Sequence, residues 1–185
     1  MKEYLHYFAY VVKHKWYVFL ACARNGIWVR GILHDWSKFM PTEFFPYAKM
    51  FYGRIKPIRD KTGYYDPYSS NNKVFTNSWI NHLHRNKHHW QHFALVDESV
   101  SIKLMEMPEK YILEMLSDWM GAGKAQKSTL NAIQWYRIHR NNIALHSNSR
   151  KFLENKLEDS NKIPRERDFI MALLTKALFA DMIYK

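Results

Sequence analysis

Leu33-His34-Asp35-Trp36-Ser37-Lys38 sets an imidazole directly beside a carboxylate, near the end of a predicted helix. Neutral imidazole nitrogen and ionised carboxylate oxygen both suit divalent cations of intermediate softness, so the pair is the start of a metal site. Two ligands do not hold a catalytic ion. The other candidates are His14 upstream, the cluster His82, His84, His88, His89 and His92 downstream, and Asp118 beyond it. The chain reads as helices that would bring these groups to one centre, which predicts an all-α, single compact bundle.

Composition agrees with that class. The chain has 185 residues, 47% of them hydrophobic and 16% aromatic, enough for one domain with a packed core and too apolar for a disordered chain. Six Gly and six Pro leave little material for a turn-rich β architecture. Cys22 is the single cysteine, which excludes an intramolecular disulfide and fits a reducing, cytoplasmic setting. The apolar stretch from Tyr4 to Ala23 carries Lys13, His14 and Lys15 in its middle, so neither a membrane span nor a signal peptide is expected. The net charge of +11 attracts polyanions such as nucleotides, nucleic acid or an anionic surface, or is simply a solvated basic face.

Outward from the His-Asp pair, periodicity predicts helices over 3–25 and 27–39, then a third opening at Pro41. His14 falls on the inward face of the first, as a core histidine or a ligand. His34 and Lys38, four apart, would share a face of the second. Glu43 is read either as a first-turn carboxylate that complements the helix dipole or as a proton-transfer group near the metal. Residues 54–73 read as a long loop in which Tyr64, Tyr65 and Tyr68 stack on a base or cover the core edge.

A fourth helix over about 74–92 would place His82, Asn86 and His89 on one stripe and His84, His88 and His92 on another, with His88 turned inward if the helix frays. A fifth runs from Met107-Pro108-Glu109 to about Met120, closed by Gly121 and Gly123. It sets Glu114 and Asp118 on one face among apolar residues, where a buried carboxylate needs a cation, whether a metal or an Arg or Lys. A basic, aromatic helix over 126–146 (Trp135, Tyr136, Arg137, Arg140) is a candidate nucleic-acid surface. Residues 1–146 form the expected metal-binding domain. Residues 147–185 form a C-terminal helical extension, amphipathic over 147–160 and apolar from Phe169 to Ile183, that docks on the domain or on a second copy as a homodimer.

The order His14, His34-Asp35, His82, His88-His89, Asp118 resembles the HD-domain superfamily of metal-dependent phosphohydrolases. His34 to Lys38 is similar to the His-Asp-x-Gly-Lys form of that motif in cyclic-dinucleotide phosphodiesterases. More closely, His14 to Asn142 resembles an uncharacterised phage and bacterial family with His-Asp-x-Ser-Lys, Asn-x-His-His and Glu-Met-x-x-Asp-Trp elements, here His34–Lys38, Asn86–His89 and Glu114–Trp119. The resemblance implies His14, His34, Asp35 and Asp118 as ligands of a first ion, and His82 with His89 or His88 for a second. The ions would be Mn, Fe or Zn first, with Mg and Ni also compatible. It implies Lys38 at a phosphate oxygen or the metal-bound hydroxide; Lys38, Asp35 and Glu43 are the expected catalytic groups, with Arg24, Arg30 and Arg85 as candidates to neutralise the developing phosphoryl charge. The expected activity is hydrolysis of a phosphorylated small molecule, a nucleotide or cyclic (di)nucleotide, in the cytoplasm (the host's, if phage-encoded). Two other readings stand beside it: an HD-type di-iron oxygenase, and a non-catalytic basic binder of nucleotides or nucleic acid.

Overall fold

The computed structural model describes residues 1–61, 65–67 and 71–162. Among them are seven α-helices: α1 (Lys2–Arg24), α2 (Trp28–Leu33), α3 (Pro41–Tyr52), α4 (Lys73–Arg85), α5 (Glu109–Ala125), α6 (Ala132–His139) and α7 (Ser147–Lys162). The all-α class holds. No helix among the described residues is long and apolar enough to cross a membrane.

α1 is the axle of the bundle, packed on by α2, α3 and α5. Its buried residues Tyr7, Val11, His14 and Val18 recur at steps of three and four and form one inward stripe. The helix stops at Asn25-Gly26, where Gly26 takes φ +73°, a conformation that costs a side-chain-bearing residue energy. On one side, Tyr7 and Val11 join Tyr47, Ala48 and Phe75 of α3 and α4 in an aromatic core. A second core gathers Ile112, Met115 and Leu116 of α5 with Tyr136 of α6 and Leu153 and Leu157 of α7. Thus α7 is built into the core. The apolar run from Phe169 to Ile183 lies outside the described residues.

Caps explain several boundaries. Asn72 accepts a hydrogen bond from the Phe75 amide at the start of α4, and Asn131 with Gln134 forms a reciprocal capping box on α6. α6 is therefore shorter than the predicted 126–146: it begins at Ala132 and passes into a 3₁₀ turn at Arg140–Asn142. Its aromatic and basic residues are largely used internally. Tyr136 is buried and donates to Glu154, Arg140 also donates to Glu154, and the Trp135 ring packs on Trp119 and His139.

Other boundaries differ from the sequence reading. The expected helix over 27–39 is broken at His34-Asp35 into α2 and a 3₁₀ turn (Trp36–Phe39), so His34 and Lys38 do not share a helix face. The helix expected to reach residue 92 ends at Arg85, because Asn86 is extended and its amide donates to the His82 carbonyl and to Ser37. Gly121 does not stop α5. It lies where α5 crosses α1, and a Cβ there would stand 2.4 Å from Val18 Cγ2 and 2.8 Å from Val18 N. Residues 94–104 form a hairpin that periodicity missed, β1 (Ala94–Val96) antiparallel to β2 (Ile102–Leu104). Its side chains are mostly exposed, so they carry no alternation signal. Tyr65 packs on Phe51 and Phe75 and covers the core edge, while Tyr64 and Tyr68 lie outside the described residues.

Candidate metal centre

Four pieces of chain converge on one buried point: α1, the break after α2, the end of α4 with the turn that follows, and α5. α1 delivers His14 one turn beyond Val11 on its inward stripe. The break delivers two adjacent residues at once. His34 is extended and Asp35 is left-handed (φ 52°, ψ 33°), so the chain reverses and both side chains turn to the same side. A non-glycine residue held there costs roughly 1 kcal/mol or more, a strain found chiefly at functional sites. Lys15 helps to hold the break, donating to the Ile32 and His34 carbonyls at the end of α2. α4 delivers His82, the early helix stop brings His88 and His89 inward, and α5 supplies Glu114 and Asp118.

Asp35 is the hub. Its Oδ2 lies 3.2 Å from His34 Nε2 and 3.7 Å from His14 Nε2, and its Oδ1 lies 3.5 Å from His82 Nε2 and 3.4 Å from His88 Nε2. Asp118 Oδ1 closes the first set, 3.2 Å from His14 and 3.4 Å from His34. Two sets follow, each with its ligand atoms within 4.8 Å of one another: His14, His34, Asp35 and Asp118, and Asp35, His82, His88 and His89. Two donors bound about 2.1 Å from one ion stand roughly 3.0–3.4 Å apart at octahedral to tetrahedral angles. The Asp35 and Asp118 spacings match those of donors that share one ion, or are slightly wider.

Unmet bonding points the same way. The Nε2 atoms of His14, His34, His82, His88 and His89, and Oδ1 of Asp35, are buried and have no hydrogen-bond partner among the described residues. Leaving one such group unpaired costs about 1–3 kcal/mol, and here they converge. A cation satisfies all of them, and nitrogen and carboxylate donors without thiolate suit Mn, Fe or Zn. The residues fit a metal centre of one or two ions.

The far sides of the imidazoles are held by two outer carboxylates. Glu114 Oε1 lies 3.2 Å from Nδ1 of His34 and 3.5 Å from Nδ1 of His88, and its Oε2 accepts from Arg30 at 2.6 Å. Glu43 Oε2 lies 2.8 Å from Nδ1 of His82 and accepts from Ser37 at 2.8 Å, while Arg85 donates to its Oε1 at 2.8 Å. Each carboxylate favours a proton on Nδ1, so that a neutral ring presents the lone pair of Nε2 toward Asp35.

Charge in the site is set by these contacts. Burial would raise the Glu114 carboxyl, but hydrogen bonds from His34 and His88 hold it down at about 2. Burial opposes ionisation of Asp35 and Asp118 too, and the surrounding histidines, with Lys38 at Asp35, outweigh it. For His34, burial works against the proton, yet Asp35, Asp118 and Glu114 raise the imidazole well above its ordinary range in the metal-free protein. Burial and the neighbouring histidines keep His88 and His89 on the neutral side. Lys38 donates to Asp35 Oδ2 and stays charged, because Asp35 and Asp118 overcome the cost of its burial. The side chains of Lys38 and Asp118 are each 15% exposed, while those of His14, His34, Asp35, His82 and His88 are buried.

The structure thus gathers every ligand residue named from the sequence, and it takes both His88 and His89 where one was expected. Glu43 sits behind His82, not on the side that faces Asp35. Arg30 and Arg85, named as candidates to neutralise a phosphoryl group, are turned to the outer carboxylates, and Arg24 is exposed at the end of α1. His84 is exposed and accepts through its carbonyl from His92. The outer role of Glu114 was visible in part, as a carboxylate one helical turn before Asp118 on an apolar stripe.

Residues 3–159 match the family model described as "Family of unknown function (DUF5662)". No curated protein and no solved structure matches the chain.

Proposed function

The chain belongs to the family of unknown function DUF5662, and we propose that it is a metal-dependent phosphohydrolase acting on a nucleotide or cyclic (di)nucleotide. The observation that carries this reading is Asp35, faced on its two oxygens by two sets of unpaired histidine nitrogens, with the Lys38 ammonium at the same carboxylate. His14, His34, Asp35 and Asp118 would hold one ion, and Asp35, His82, His88 and His89 a second. Bound there, a divalent ion supplies an acidified water and polarises a phosphoryl oxygen.

The protein's own groups do the rest. Lys38, charged and partly exposed, neutralises a substrate oxygen beside Asp35. Glu43 and Glu114 keep the imidazoles aimed and favour a proton on Nδ1. The +11 net charge draws an anionic substrate toward the centre. The resemblance of His34–Lys38 to the HD phosphodiesterase motif supports the same class.

A second reading, an HD-type di-iron oxygenase, is favoured by the abundance of imidazole: five histidines against two carboxylates in the two sets. One experiment separates them. Protein purified without chelator is assayed for metal by elemental analysis, then for hydrolysis of bis(p-nitrophenyl) phosphate and cyclic dinucleotides and for oxygen consumption. Metal-dependent phosphodiester cleavage lost in His34→Ala supports the hydrolase. Redox-active iron that consumes oxygen without cleaving phosphoesters overturns it.

A further inference from the structure

α2 packs on α1 through its backbone. Gly31 is its one buried residue, and a Cβ there would stand 2.8 Å from Cys22 Cβ and 2.9 Å from Phe19 Cα. That close contact leaves Trp28, Val29, Ile32 and Leu33 exposed. The 3₁₀ turn continues the same face. Exposed Trp36 packs on Phe39 at 5.6 Å, and Phe39 meets the exposed Phe8 of α1 at 6.1 Å. Lys15 ties the two parts together, with its ammonium 5.2 Å from the Trp36 ring and 3.2 Å from the Ile32 carbonyl. An open hollow lined by Trp36, Ser37, Phe39, Met40, Pro41 and Arg85 extends the face to the start of α3. Isolated apolar residues on a surface are ordinary, but a joined set of this kind marks a binding face.

Charge selects the partner. From Tyr4 to Tyr52 the chain carries six Lys and Arg and two carboxylates. Both carboxylates, Asp35 and Glu43, are 1% exposed and belong to the metal centre, so this segment shows no acid to the solvent. Glu3, just before it, pairs with the amino terminus. A second copy of the chain would set cations against cations, and a nucleic acid would leave the aliphatic side chains unused. An anionic lipid surface takes both groups, with Trp and aliphatic side chains at the headgroup boundary and Lys and Arg at the phosphates. We propose that the face formed by α2 and the 3₁₀ turn docks peripherally on an anionic lipid surface through Trp28, Ile32, Leu33 and Trp36. The proposal does not depend on the phosphohydrolase reading. Leu33 and Trp36 bracket His34-Asp35, so docking would hold the metal centre close beneath the lipid surface.

The test sediments the full chain with vesicles of phosphatidylcholine and phosphatidylserine, and with vesicles of phosphatidylcholine alone. Binding should be confined to the anionic vesicles and should fall as salt rises. Trp28→Ser combined with Ile32→Ser should weaken it about tenfold or more, since both side chains leave water only on docking. Both are exposed, so melting temperature and metal content should stay at wild-type values. A second measurement reads insertion directly. Brominated acyl chains should quench the tryptophan emission of the bound protein, and most of that quenching should be lost in Trp28→Phe combined with Trp36→Phe. Wild type that does not sediment with anionic vesicles overturns the proposal and leaves the face to an acidic protein partner. Equal sedimentation with both vesicle types overturns it too. Undiminished binding by the serine variant does the same, and traces binding to the rest of the basic surface or to the apolar run from Phe169 to Ile183. If the serine variant melts lower than wild type, the phenylalanine variant decides, and quenching that persists in it overturns the proposal.

Discussion

Glu43 Oε2 lies 2.8 Å from Nδ1 of His82, on the side of the imidazole turned away from Asp35. Glu114 does the same for His34 and His88, and each carboxylate is itself clamped by an arginine. The centre is therefore built in two layers, inner nitrogens aimed at Asp35 and outer carboxylates that set how they aim. The outer layer divides unevenly between the two ligand sets. Glu43 serves His82 alone, whereas Glu114 serves one histidine of each set.

That division makes a prediction. Glu43→Gln should lower affinity at the His82 side about tenfold and leave the His14 side near wild type, while Glu114→Gln should weaken both. Metal titration with competition by a chelator reads the two steps. Equal effects of the two variants on both steps would show that the outer carboxylates do not divide as the geometry says.

Asp35 is the residue whose loss should abolish both sets, because its two oxygens face different histidines. Asn accepts the left-handed backbone better than most residues, so Asp35→Asn keeps the chain reversal while removing the charge. Metal content should fall to background in Asp35→Asn and by about half in Asp118→Asn if two ions bind. Full metal content in Asp35→Asn would remove the shared-carboxylate centre.

Metal affinity should rise with pH. In the metal-free protein the carboxylates around His34 favour its protonated form, despite burial, and an ion must displace that proton. A raised pKa means the competing proton persists through and above the usual imidazole range. Affinity is thus lowest in acid and gains up to about one log unit per pH unit for each proton displaced. The rise in melting temperature on adding metal should shrink as pH falls, since stabilisation follows ligand concentration over Kd. An affinity flat between about pH 6 and 8 would contradict the charge state assigned to His34.

The cluster that could hold a metal was legible in the sequence because metal chemistry restricts residue types: His14, His34, Asp35 and Asp118 were candidates by type, whatever their backbone, and the structure brings them together. The backbone that delivers them was not. The left-handed turn at Asp35 has no glycine to announce it. The stop after Arg85 depends on Asn86 bonding to Ser37, a residue distant in sequence, so periodicity alone ran the helix on and split His88 from His89. Once the helix ends, both histidines enter the same set. Arg30 and Arg85 were misplaced for a related reason: a sequence shows a cation near the motif, but not which anion it faces.

The α1–α5 crossing ties the fold to the centre, and Gly121 tests that tie. His14 lies four residues before Val18 on α1, and Asp118 three before Gly121 on α5, so the same crossing that packs Gly121 on Val18 sets His14 against Asp118 at 3.2 Å. A Cβ at Gly121 meets Val18 Cγ2 and, more seriously, the Val18 backbone nitrogen. Gly121→Ala would ordinarily stabilise a helix by up to about 1 kcal/mol. Here the helices must separate, and we expect a net loss of about 1–3 kcal/mol in a denaturant titration. The same separation should stretch the His14–Asp118 pair and lower metal affinity at that side, with the His82 side less affected. Val18→Ala in the same chain removes Cγ2 but not the backbone contact, so rescue should be partial. A Gly121→Ala protein as stable as wild type, with unchanged metal affinity, would show that α1 and α5 are not held at the distance the centre needs.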